Sequence, residues 1–377
     1  INGSTASSAP ATHTVDQGDT VIGVLGPEDP VNEQFGRHKN YTFSGEAGET
    51  ITAELRQFVG EDETNTEISL KLVAPSGTVE ADDRWDSGST YAPSDPGQNI
   101  SVDTALDESG IYTLVVTGST DDASFDYQLR LHDRLATEQQ LDIGSTLNGS
   151  ITTGDSFSNR GDGGDDLPDL GGYHDTYGFE GVDGDNVTVE LRQFIGEDEF
   201  AKEISVRLID PTGEVEAIGT WNEGSSYSPS DPGQNLSVDT TLDETGVYKI
   251  VVTSQKMTTT YEYQLRLHNS LSTNQTLTYG ERVLEEVTKS DHFSDNRGDD
   301  RDEIPLLNGY HDIYEFDGVE DENVTVELRQ FVDEDARKKE VLVKLVAPSG
   351  AVEAIGEWSS GTSFGSADPG QNLSVDT

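Results

Sequence analysis

The stretch Asp-Pro-Gly-Gln-Asn stands at Asp95–Asn99, at Asp231–Asn235 and at Asp368–Asn372, 136 and then 137 residues apart. Each copy is followed by Ile or Leu and then Ser-Val-Asp-Thr. The same period holds elsewhere. "AELRQFVGEDE" at Ala53 returns as "VELRQFIGEDE" at Val189 and "VELRQFVDEDA" at Val326, and Trp85, Trp221 and Trp358 align. Units of this length are whole domains, each able to bury its own core. The period divides the chain into a polar N-terminal tail (1–14) and three repeats, 15–140, 141–276 and 277–377.

Within each repeat the apolar residues alternate with polar ones. In "NVTVEL", Val187, Val189 and Leu191 fall on one side and Asn186, Thr188 and Glu190 on the other. Such a period of two puts the apolar set on one face of a sheet. "EISVRL" and "YEYQLRLH" alternate likewise, and "GVYKIVVT" is the β-branched run of a central strand. Asp-Pro-Thr-Gly at Asp210–Gly213 and Ala-Pro-Ser-Gly at Ala74–Gly77 are turn sequences. No long stretch has helical periodicity. The pattern predicts an all-β chain of three tandem jelly-roll-like β-sandwich domains. Repeat 3 lacks its C-terminal strand pair, the counterpart of the 28 residues after Thr240. Either this stretch belongs to a longer protein, which is the favoured expectation, or a neighbouring subunit supplies the strands, since open sheet edges invite pairing.

The net charge is −50, with 73 acidic residues, and Lys is scarce at nine against fourteen Arg. Such a surface repels phosphates, which argues against nucleic acid or an anionic membrane face as partner. A folded chain this acidic fits molar salt, where screening over about 3 Å removes most self-repulsion. The expected source is therefore a halophile. There is no Cys, so disulfides and thiol chemistry are excluded. No apolar run of membrane-spanning length occurs.

Nine of sixteen Asn open an Asn-x-Ser/Thr triplet: Asn2, Asn40, Asn99, Asn148, Asn186, Asn235, Asn274, Asn323 and Asn372. Chance alone gives about three, so N-linked glycans and export are expected. The Asp-Pro-Gly turn is expected to raise Asn99, Asn235 and Asn372, and Asn186 and Asn323 to project from the outward face of a strand.

The succession "GYHDTYGFEGVDGDNVTVEL", "ISVRLIDPTGEVEA", "DETGVYKIVVT", "YEYQLRLH" resembles the pre-peptidase C-terminal (PPC) domain of secreted bacterial and archaeal proteins. Asp175, Tyr177 and Phe179 match its Asp-x-Tyr-x-Phe strand, as do Asp312, Tyr314 and Phe316. Repeat 1 departs from it, with Lys39 in place of the Asp. The resemblance implies a compact sandwich that serves as an accessory or stabilising module. It also implies calcium: Asp165 and Asp166, and Asp299 and Asp300, lie in acidic loops of repeats 2 and 3, and Asp175 and Asp312 supply further oxygens. The favoured reading of those loops is plain solvation.

Catalysis is not expected. There is no HExxH, no GxSxG and no phosphate-binding Gly loop before a helix, and with 73 acids carboxylate pairs carry no signal. His132 and His268 end a strand on its polar face. His38, His174 and His311 precede the Tyr-x-Phe strand, and all are expected to be structural. "LRQF" reads as strand packing by its Leu and Phe. The expected function is an extracellular structural glycoprotein that self-associates into a surface layer, fibre or filament. The alternative is an adhesin, or the carbohydrate- or protein-binding arm of a secreted hydrolase.

Overall fold

The computed structural model describes residues 12–58, 67–85, 97–118, 123–158, 170–194, 203–221, 233–254, 260–271, 273, 275–288, 290–294, 309–331, 341–358 and 370–376. Every regular element among them is a strand, as the alternation predicts. Repeat 1 holds β1 (Thr12–Thr14), β2 (Thr20–Leu25), β3 (Val31–Asn32), β4 (Gly36–Gly45), β5 (Thr50–Phe58), β6 (Ile68–Val73), β7 (Val79–Trp85), β8 (Gly97–Ala105), β9 (Gly110–Gly118) and β10 (Phe125–Asp133). Repeat 2 holds β11 (Gln139–Leu141), β12 (Thr146–Ile151), β13 (Ser156–Ser158), β14 (Gly172–Gly181), β15 (Asn186–Phe194), β16 (Ile204–Ile209), β17 (Val215–Trp221), β18 (Gly233–Thr241), β19 (Gly246–Thr253) and β20 (Tyr261–Asn269). Repeat 3 holds β21 (Gln275–Thr276), β22 (His292–Ser294), β23 (Gly309–His311), β24 (Tyr314–Glu315), β25 (Thr325–Phe331), β26 (Val341–Val346), β27 (Val352–Trp358) and β28 (Gly370–Asp376).

Repeats 1 and 2 are the same sandwich. One sheet runs β1-β4-β9-β6-β7, with β3 also on β4, and the other β2-β10-β5-β8. In repeat 2 the orders are β11-β14-β19-β16-β17, with β13 on β14, and β12-β20-β15-β18. The first strand of each repeat pairs in parallel, β1 with β4, β11 with β14 and β21 with β24. These strands correct the expected boundaries: β1 falls inside the stretch assigned to a polar tail, β11 straddles position 140, and β21 lies before position 277 yet pairs within repeat 3.

The period of two makes the core. Leu70, Leu72, Leu114 and Val116 of one sheet meet Ala53, Leu55, Leu129 and Leu131 of the other, all buried. Val206, Leu208, Ile250 and Val252 meet Val189, Leu191, Leu265 and Leu267 in repeat 2. Trp85 and Trp221 pack at the margins of these cores. "LRQF" behaves differently from expectation. Gln57 and Gln193 are buried, while Phe58 and Phe194 face outward, their rings 6.0 and 5.9 Å from the guanidinium carbons of Arg56 and Arg192. The strand period decides this, because Phe stands three places after the inward Leu.

The Pro-x-Gly turn recurs in all three repeats. Gly77, Gly213 and Gly350 adopt φ of 88°, 95° and 86°, a region that penalises any Cβ. Their amides donate to Ala74, Asp210 and Ala347 carbonyls at 2.9, 3.1 and 2.9 Å. In repeat 3 the described strands form four two-stranded sheets, β21–β24, β22–β23, β25–β28 and β26–β27. Among the described residues these sheets have no counterpart of the central strands β19 and β20. Leu328 is accordingly 37% exposed, whereas its counterpart Leu191 is fully buried.

Gly149 of β12 lies opposite Tyr263 of β20, and a Cβ there would run into the tyrosine ring. The ring cannot retreat freely, because its hydroxyl is bonded to Tyr177 at 2.6 Å and to Asp175 at 2.5 Å. Gly149→Ala is expected to destabilise repeat 2 by about 1–3 kcal/mol, measured as a lower urea midpoint for the whole chain.

Candidate functional site: the junction between consecutive repeats

The outward face of the β2-β10-β5-β8 sheet carries an unusual set of buried polar groups. Alternation turns Leu55, Ile100 and Leu129 inward, and turns Glu54, Arg56, Asn99, Ser101, Asp103, Arg130 and His132 outward. Glu54, Asn99 and Asp103 are nonetheless buried. The chain around β13 of repeat 2 covers them, like a plug in a socket.

One carboxylate organises the contact. The Phe157 amide donates to Glu54 Oε1 at 2.8 Å. His132 Nε2 lies 2.6 Å from the same oxygen, and Arg130 Nη1 lies 3.5 Å from Oε2. Arg130 Nη1 also donates to the Gly154 and Asp155 carbonyls at 3.2 and 3.1 Å, and Arg56 Nη1 to the Thr153 carbonyl at 3.1 Å. Asn99 Nδ2 donates to the Tyr173 hydroxyl.

The second junction repeats the first. The Phe293 amide donates to Glu190 Oε1 at 2.8 Å, His268 Nε2 lies 2.7 Å from it, and Arg266 Nη1 lies 3.7 Å from Oε2. Arg266 Nη1 donates to the Ser290 and Asp291 carbonyls at 3.0 and 3.2 Å. The Ser-Val-Asp-Thr motif serves the same face. Asp103 accepts from Thr52 and Ser101, both at 2.6 Å, and Asp239 accepts from Thr188, Ser237 and Ser294 at 2.7, 2.9 and 2.9 Å. Asn-x-Ser-x-Asp therefore recurs because its alternate residues line a socket. The linker adds an apolar seal, with Leu135 packed on Leu170, Ile209 and Val251.

Burial alone would push Glu190 up, but the bond from His268, the nearby His292 ring and the bond from the Phe293 amide outweigh it and hold the carboxylate at about 2. Burial lowers His132 while Glu54 raises it, and the balance lies above the ordinary value. Burial pushes His174 down to about 4, so it is neutral at pH 7. Burial also lowers His311, helped by the nearby His292 and His268.

The second junction contains one more imidazole than the first. His292 occupies the place of Ser156, and its ring stacks on His268 with centroids 3.9 Å apart. Glu190, His268 and His292 each offer one ligand atom, all within 4.8 Å of one another. Of these, the sequence reading takes His268 as structural. The available signal was that His292 breaks the repeat, in Asp-His-Phe-Ser against Asp-Ser-Phe-Ser.

The glycan and calcium candidates are scattered. Asn99 is not raised on a turn. It lies within β8, paired with Arg56, and its amide is buried in the junction. Asn235 and Asn372 sit at the same register of β18 and β28. Asn148 and Asn323 are exposed. Asn40 and Asn186 are half-buried, and Asn186 Oδ1 accepts from Thr241 at 2.7 Å. Asn2, Asn274, Asp165, Asp166, Asp299 and Asp300 lie outside the described residues. Asp312 is half-buried.

Asp175 is buried within repeat 2, bonded to Tyr263, rather than presented on a loop. Burial raises it to about 7, reinforced by Glu138 and Asp155. Between pH 4 and 7 the folded chain therefore binds more protons here than the unfolded one. The associated stability is full below about 4 and is lost as pH climbs to 7, with a slope of at most about 1.4 kcal/mol per pH unit. Asp175→Asn is expected to flatten this decline, making the variant the more stable protein at pH 8 and removing its advantage at pH 4. Thermal melts across that range measure it.

Neither a family model nor a curated protein matches the chain. Among solved structures, the pre-peptidase C-terminal domain of collagenase from Bacillus anthracis is similar at 14% identity and a TM-score of 0.23, covering 33% of this chain and 99% of that one. The N-terminal CBM22-1-CBM22-2 tandem domain of Paenibacillus barcinonensis Xyn10C is similar at 10% identity and 0.21, covering 67% and 92%. The CUB1-EGF-CUB2 domains of rat MASP-1 are similar at 9% identity and 0.17, covering 68% and 100%.

Proposed function

We propose that this chain is a non-catalytic, extracellular structural glycoprotein of a halophile: PPC-like β-sandwiches stacked head to tail as a segment of a surface layer, fibre or filament. The observation that carries the reading is the duplicated junction. Glu54 and Glu190 receive the same backbone amide of the following repeat at the same 2.8 Å. A contact that joins one face of a unit to a different face of the next can be repeated, and where its rotation does not close a ring it builds a linear array. Of the socket residues repeat 3 carries Glu327, Asn372, Ser374 and Asp376, with Thr325 donating to Asp376 at 2.6 Å as Thr52 does to Asp103. The charge of −50 supports a high-salt setting.

A specific observation favours the alternative, an adhesin or binding arm. On edge strand β2, Ile22 and Val24 are 66% and 52% exposed, at the register where repeat 2 has Asn148 and Ser150. Electron microscopy of the native material tests the two readings. An ordered array or filament is expected, whereas dispersed single molecules would favour the binding arm.

The glycans follow exposure. Asn148 and Asn323 are expected to carry N-linked sugar and Asn99 to be bare, because a sugar on its buried amide would displace Tyr173. Glycopeptide mass spectrometry reads each site, and unmodified Asn148 and Asn323 would remove this part of the proposal.

A further inference from the structure

We propose that the junction between repeats 2 and 3 binds one divalent transition-metal ion of the Zn²⁺ class through Glu190, His268 and His292. The three side chains come from β15, β20 and β22, so the ion would bridge two domains. Imidazole nitrogens with one carboxylate suit Zn²⁺ and its neighbours, whereas Ca²⁺ requires an all-oxygen set.

The distances fit an ion. Bonds of about 2.0–2.2 Å in a tetrahedron place ligand atoms about 3.3 Å apart. His268 Nε2 and His292 Nδ1 lie 2.7 and 3.7 Å from Glu190 Oε1, one shorter and one longer than that spacing. An ion requires the first to lengthen and the second to shorten by about half an ångström. His292 Nδ1 is buried and has no hydrogen-bond partner, which is costly unless something else engages it. His268 is oriented from behind, its Nδ1 3.1 Å from the Asn269 carbonyl, the arrangement that aims the other nitrogen at a metal. Three protein ligands leave a fourth position for water. Next to the site stands His311, its ring 6.3 Å from that of His292, with Nδ1 3.0 Å from the Gly309 carbonyl and a buried Nε2 lacking a partner.

The first junction is a built-in control. It has Glu54 and His132 at 2.6 Å, but Ser156 where His292 stands. Two ligands do not make such a site, so one ion per chain is expected rather than two.

The test is Zn²⁺ titration calorimetry on the whole chain after chelation, with Co²⁺ absorption as a second readout of ligand geometry. Wild type is expected to take up one equivalent and to give tetrahedral Co²⁺ bands. His292→Ser installs the residue that repeat 2 carries at this place, which keeps the fold accessible. It is expected to weaken Zn²⁺ by about 100-fold or more and to abolish the bands. A wild-type chain that takes up no Zn²⁺, or a His292→Ser variant that binds it as tightly as wild type, overturns the assignment.

Discussion

A carboxylate buried between two domains is the constraint on which the arrangement of repeats depends. Removing Glu54 or Glu190 from water costs several kcal/mol unless its lone pairs are filled. Neither sandwich fills them alone. Its own strands supply a histidine and an arginine, and the next repeat supplies the backbone amide of Phe157 or Phe293. The anion is satisfied only when the neighbour is docked, and only in one orientation, because an amide donates along one direction. Arg130 and Arg266 fix the remaining freedom by gripping two successive carbonyls of the plug. Isolated ion pairs contribute little, but a shared, desolvated network makes geometry specific.

The two junctions keep this frame and differ around it. Arg134 lies 3.9 Å from Asp103 in the first, whereas Ser270 stands in its place in the second, accepting from Thr188 at 2.8 Å. A cation faces one buried aspartate and a hydroxyl network surrounds the other. The same divergence occurs inside the sandwiches. Lys39 of repeat 1 donates to the Val24 carbonyl at 2.7 Å, while its counterpart Asp175 accepts from a tyrosine at 2.5 Å. Lys and Asp at one position are tolerated because each reaches a different partner.

The sandwich was legible in the sequence because strands announce themselves locally. Val187, Val189 and Leu191 alternate, Gly213 follows its Pro, and the β19 run has the β-branched composition of the sheet centre it occupies. The junction was not legible. Glu54, Asp103 and His132 sit at polar positions of alternating strands, which reads as a solvated face. What covers them lies about a hundred residues on, and no local period encodes that contact. For the same reason Asn99 reads as a glycan acceptor beside a turn, although it is buried against Tyr173. The acidic loops that hold Asp165 and Asp299 lie outside the described residues.

Topology gives the repeats a direction. In each sandwich the last two strands along the chain, β9 and β10 or β19 and β20, occupy interior places in the two sheets. The earlier strands are thus held apart until the end of the repeat arrives, a non-local closure that pays its entropy before its contacts form. Repeat 3 has this incomplete form in the described residues, with Leu328 part-exposed where Leu191 is sealed by β20. The same late strand carries Arg130 and His132, or Arg266 and His268, so the socket is finished at the moment the sandwich closes. The chain then runs directly into the next repeat's plug. A closed unit therefore presents the complete docking site for the next.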